Sequence, residues 1–146
     1  FLIQLDQNKK VFDKHDGHFK TYVTKHLFDQ ERGEPKAYLL EMLQKIAQST
    51  DLSKYSKVIG KLLKKSIGKN EGVEELFYLQ ILKIIGNKNS VQILTDYRSE
   101  VTKGNFGHPQ WETVGNVCKL VTGAFKDALQ KKRLDQIDHA IMIVST

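Results

Sequence analysis

Lys54, Lys57, Lys61, Lys64 and Lys65 recur three or four residues apart, with one adjacent pair. At about 100° per residue they share one side of a helix. Leu52, Tyr55, Val58, Ile59, Leu62 and Leu63 fall on the other side. Residues 51–70 contain six lysines against a single aspartate, a net of +5 within a chain of +6. A row of ammonium groups makes and breaks no bonds by itself. Its chemistry is the attraction of anions: an acidic protein segment, anionic lipid headgroups or nucleic-acid phosphate. No acid lies three or four residues from Lys57, Lys61, Lys64 or Lys65 to neutralise them along the helix. Arginine is scarce (Arg32, Arg98 and Arg133), and Tyr55 lies on the apolar side. Phosphate and base readers use arginine forks and stacking aromatics. The expected partner is therefore an acidic protein segment, with nucleic acid or an anionic membrane as the alternative.

The remaining chemistry-bearing residues point to smaller roles. Gly104-Asn105-Phe106-Gly107-His108-Pro109-Gln110-Trp111 reads as an irregular loop. It places Phe106 and Trp111 either as caps on the core or as an aromatic contact for a partner. Lys126, Lys131, Lys132 and Arg133 form a second basic cluster, read as favourable charge at a helix C-terminus. His15, His18 and His26 lie near Asp13, Asp16 and Asp29. Their spacing matches neither a zinc motif nor a calcium loop, so no metal and no cofactor is expected. In 63–70 the glycine and the hydroxyl that a phosphate loop needs are Leu63 and Asn70. Cys118, beside Val117, Leu120 and Val121, reads as a small core residue and excludes an internal disulfide. No nucleophile elbow or paired-carboxylate pattern stands out, and the expectation is a non-enzymatic protein.

The elements that must position the lysines follow from periodicity. With 146 residues, 40% hydrophobic and 27% charged, the chain reads as one domain (1–146) able to bury a core. Helical spacing predicts helices over 1–12, 18–28, 35–48, 52–66, 73–85, 90–102 and 110–131, with a last one from 133–134 onward. Pro35 suits a first helical turn. Ser49, Thr50 and Asp51 offer caps for the basic helix, and Ser90 for the helix after 73–85. The segment 73–85 is apolar nearly all round, which marks it as the central helix. The stripe expected on 110–131 is Trp111, Val114, Cys118, Val121, Phe125 and Leu129. Strand content is expected to be essentially nil. No apolar run approaches the ~18 residues of a membrane span. The chain begins at Phe1 and reads as a domain excised from a longer protein. The absence of a disulfide framework favours a reducing, cytoplasmic compartment.

The stretch VEELFYLQILKIIGNKNSVQILTDYRSE (73–100) resembles a helical hairpin of the HEAT or armadillo type. An apolar helix closes in Ile85-Gly86-Asn87, and Ser90-Val91-Gln92-Ile93-Leu94 opens the next. A similar hairpin occurs in the helical domain of vitellogenin-type lipid-transfer proteins. VHS and ENTH adaptor domains share the length and the helix number. The resemblance implies an all-α stack of about eight helices in antiparallel hairpins, superhelical, acting as a protein–protein interaction or scaffold module. A lipid-transfer role would instead require exposed leucines and isoleucines on 73–85.

Overall fold

A computed structural model describes residues 28–29, 34–35, 37–114, 117–121 and 123–146. Among the described residues there are five α-helices: α1 (Ala37–Ser49), α2 (Ser56–Ser66), α3 (Val73–Ile85), α4 (Val91–Thr102) and α5 (Gly123–Ser145). Two small antiparallel ladders accompany them. Strands β1 (Phe28–Asp29) and β2 (Glu34–Pro35) form one, and β3 (Trp111–Val114) and β4 (Val117–Leu120) form the other. The expected helix 1–12 and most of 18–28 lie outside the described residues.

The central position expected for 73–85 is correct. Helix α3 packs on α1, α2 and α5, and α4 packs on α5 and α2. Phe77, Leu79, Ile81 and Leu82 of α3 are buried together with Leu43, Ile46, Ile59, Leu63, Leu94, Val101 and Ile137. Each such side chain stabilises the fold by about 1.5–3 kcal/mol through removal from water. No leucine or isoleucine of α3 is exposed.

Three expectations fail, each for a local reason. The helix expected over 110–131 is instead the β3–β4 hairpin followed by α5. Trp111 faces Leu120 and Val114 faces Val117 in its register. The segment reads W-E-T-V, Gly-Asn, V-C-K-L: two β-rich runs separated by a dipeptide suited to a two-residue hairpin connection. That composition outweighs the weak helical stripe, and Trp111, Leu120 and Phe125 are exposed rather than core. The break expected near 131–134 is absent, because no glycine or proline interrupts that stretch and α5 runs through it. Pro35 does not open a helix. It pairs with Phe28 in the first ladder, and α1 starts at Ala37.

The expected caps do not act where they were placed. Asp51 Oδ1 accepts the Ser53 N–H at 2.9 Å, a local turn bond just ahead of the 3-10 turn (Ser53–Tyr55) that feeds α2. Bonds from the Ser53 hydroxyl and N–H hold the Asp51 carboxyl below its ordinary value. Ser90 does not cap α4. Its hydroxyl accepts the Asn87 N–H at 3.2 Å and donates to the Ser56 hydroxyl at 3.1 Å, while Asn87 accepts from Asn89 N–H. The Ser56–Ser90 bond fastens the start of α2 to the start of α4. The two helices therefore run side by side in the same direction.

Candidate functional site

Helix α2 carries the lysines as its sequence requires. Lys54, Lys57, Lys61, Lys64 and Lys65 are all exposed, while Leu52, Tyr55, Ile59 and Leu63 are buried. Lys54 lies over the Tyr55 ring, 5.0 Å from its centroid. Among the described residues, no ion pair neutralises Lys57, Lys61, Lys64 or Lys65.

Three of these lysines form one wall of a groove of about 530 Å³ between α2 and α4. Lys57, Lys61 and Lys64 stand on the α2 side, and Asp96 and Glu100 on the α4 side. The floor between them is Gly60, Leu63, Ile67, Ile93 and Tyr97. At Gly60 the helices touch: a Cβ there would sit 3.1 Å from two carbons of Ile93. Both acids are tied to their own side of the groove. Asp96 accepts from Gln92 at 2.7 Å, and Glu100 accepts from Asn105 at 2.8 Å with Lys103 at 4.0 Å. Among the described residues no ion pair crosses the groove. Lys54 and Lys65 do not line it.

The groove continues past Lys64, Ile67 and Glu100 to Gly68, Gly104, Asn105 and Phe106. The structure therefore brings together Lys57, Lys61, Lys64 and Phe106, which come from the two separate sequence candidates. Phe106 is 5% exposed, so it closes the end of the groove as a core residue. Its ring lies 5.6 Å from the Arg133 guanidinium carbon and 5.1 Å from the His108 ring. Trp111 is not part of this arrangement. It stands on β3, 59% exposed.

Beneath the groove lies a polar cluster that sequence reasoning missed. Glu75 is wholly buried on α3, and the Arg133 side chain on α5 is 7% exposed. Arg133 Nη1 donates to Glu75 Oε1 at 3.1 Å and to the Tyr97 hydroxyl at 2.8 Å, and Tyr97 donates to Glu75 Oε1 at 2.7 Å. Glu75 Oε2 accepts the N–H groups of Gly68 and Gly107, at 3.0 and 2.7 Å. Arg133 Nη2 donates to the Gly107 carbonyl at 3.1 Å. A buried charge persists only when paired and hydrogen-bonded, and here both conditions hold. Burial pushes the Tyr97 phenol up, against the Arg133 charge, which favours the phenolate. The cluster fastens α3, α4, α5 and the loops at Gly68 and Gly107 to one another, and so sets the floor and the far end of the groove. Gly72, at φ 80°, and Gly107 approach so closely that a Cβ on either would overlap the other's backbone.

Arg133 therefore does not belong to the C-terminal charge expected of the second basic cluster. Lys126, Lys131 and Lys132 are exposed, but α5 continues to Ser145, so none of them serves a helix end. The acid pair Glu74-Glu75 in the first turn of the largely apolar helix 73–85 was the available signal, and it did not distinguish the buried Glu75 from Glu74. The partner of Glu75, 58 residues away, was not deducible from spacing. His15, His18 and His26 lie outside the described residues, and Cys118 lies on β4 rather than on a helix. Among the described residues no group of His, Cys, Asp and Glu is placed to hold a metal, and no helix is long and apolar enough to cross a membrane. No protein-family model matches the chain, and no curated protein or solved structure matches it significantly.

Proposed function

We propose that this protein is a non-enzymatic interaction module, a HEAT-like helical scaffold that docks an acidic protein segment on the lysine face of α2. The observation that carries this reading is the state of Lys57, Lys61 and Lys64. All three are exposed, are unpaired among the described residues, and line a groove with an apolar floor. Electrostatic attraction draws the acidic segment in, and the floor supplies contacts that a uniformly charged polymer would not use. This favours a protein segment over nucleic-acid phosphate, which needs no apolar floor. A lipid-transfer role finds no support in α3, none of whose leucines and isoleucines is exposed.

The test is binding of a glutamate-rich amphipathic peptide, compared with duplex DNA and with anionic vesicles, across a salt series. The peptide should bind, weaken as salt rises, and weaken on Lys57→Glu/Lys61→Glu/Lys64→Glu substitution, chiefly through slower association. Binding of DNA or vesicles in preference to the peptide would overturn the reading.

A further inference from the structure

The groove between α2 and α4 has two walls of opposite sign. Lys57, Lys61 and Lys64 make one, and Asp96 and Glu100 make the other, with no ion pair joining them among the described residues. We infer that this groove takes an amphipathic helix of the partner protein, acidic along one flank and basic along the other, and that the opposed walls fix the direction in which that helix lies. This inference rests on the proposed docking of an acidic segment and specifies its form.

A helix is the occupant because of what the walls are made of. Both are α-helices whose backbone groups are already bonded within the helix, so the groove offers no sheet edge. An extended peptide laid there would bury N–H and C=O groups without partners. A helix satisfies its own. The α2 side of the groove runs from Lys57 to Ile67, about 15 Å at the helical rise, which accommodates about three turns. Apolar residues at i, i+3 or i+4, and i+7 of the partner would meet Ile93, Leu63 and Ile67 along the floor.

Direction follows from symmetry. Turning a helix end for end while keeping its apolar ridge in the groove exchanges its left and right flanks. With walls of one sign both orientations would be equivalent in charge. With walls of opposite sign one orientation pairs both flanks, and the other sets acid against Asp96 and Glu100 and lysine against lysine. The acids are held from their own side: Gln92 bonds Asp96 without neutralising it, and Asn105 bonds Glu100, which also meets the Lys103 ammonium at 4.0 Å.

Two synthetic helical peptides test this, each of about 18 residues with a leucine ridge. One carries glutamates on one flank and lysines on the other; the second carries glutamates on both. The two-signed peptide should bind the wild-type chain at least about tenfold more tightly. Asp96→Lys/Glu100→Lys should reverse that preference. Ser99→Trp, a substitution at an exposed position lining the groove, should abolish the tight binding while circular dichroism shows the fold retained. A photo-cross-linker on the peptide N-terminus should react at one end of the groove only, and at the other end when the two flanks are exchanged.

The failures separate. If the doubly acidic peptide binds as well as the two-signed one, is indifferent to Ser99→Trp and is lost with Lys57→Glu/Lys61→Glu/Lys64→Glu, the lysine face docks acids and the groove inference is overturned. If neither peptide binds, or if binding ignores the lysine reversal, both readings are overturned.

Discussion

Glu75 and Arg133 hold their charges inside the protein, while Lys57, Lys61 and Lys64 on the neighbouring helix hold theirs in solvent. The buried pair is fixed by hydrogen bonds to a tyrosine and to the backbone of two glycines. The lysines have no such partners among the described residues. The difference is one of desolvation. A charge withdrawn from water must have every polar direction answered, so it becomes part of the architecture. A charge left in water costs the fold little and stays available to something else. In this protein the first kind shapes the groove and the second kind lines it.

The contrast breaks most visibly at the buried end. Glu75→Met should destabilise by about 3–5 kcal/mol in chemical denaturation, because Arg133 is left buried and uncompensated. The double change Glu75→Met/Arg133→Met should recover part of that loss. A single change costing no more than a surface substitution would show that the cluster is not a keystone. Leu82→Ala, deep in α3 but apolar, should cost about 2–5 kcal/mol by cavity formation, and its effect should add to that of a lysine reversal. Gly107→Ala sharpens the comparison by removing no charge. It should cost about 1–3 kcal/mol, because the new Cβ has to displace the Gly72 backbone and the Glu75 carboxylate.

Alkaline pH probes the same buried side. Burial, helped by the Glu74 carboxylate, pushes the Tyr78 phenol up to about 12, and Tyr97 is also raised. The unfolded chain releases these protons near pH 10, while the folded chain retains them. Stability is therefore fully present below about pH 10 and falls as pH rises from there through the folded values. Thermal melts from pH 8 to 11 should show this fall, and Tyr78→Phe should make it shallower. The smallest effect belongs to the open end. Lys57→Glu/Lys61→Glu/Lys64→Glu should change stability by less than about 0.5 kcal/mol per site while weakening binding of the acidic peptide. Unfolding by this triple change would place these lysines with Glu75 and Arg133 and erase the distinction.

Periodicity was enough to place much of this. The alternation of Lys57, Lys61 and Lys64 with Val58, Ile59, Leu62 and Leu63 placed one set in solvent and the other toward the core, because a helix with one apolar stripe has a single way to bury it. The all-round apolar character of 73–85 marked α3 as central for the same reason. Local composition decided against the helix over 110–120, and there the signal was legible in Gly115-Asn116 and the flanking β-branched residues, which outweigh the helical stripe. What the tertiary structure alone decided are the contacts between distant residues. Spacing in the chain gave no indication that Asp96 and Glu100 would face the lysines, that Phe106 would close the same groove, or that Glu75 would meet Arg133. Those pairings depend on α2 and α4 running side by side from the Ser56–Ser90 bond and on α5 lying against both α3 and α4. A sequence specifies which face of a helix turns inward through hydrophobicity, which is local and periodic. Which helices then share a groove is settled by packing across the whole core, where no short-range pattern applies.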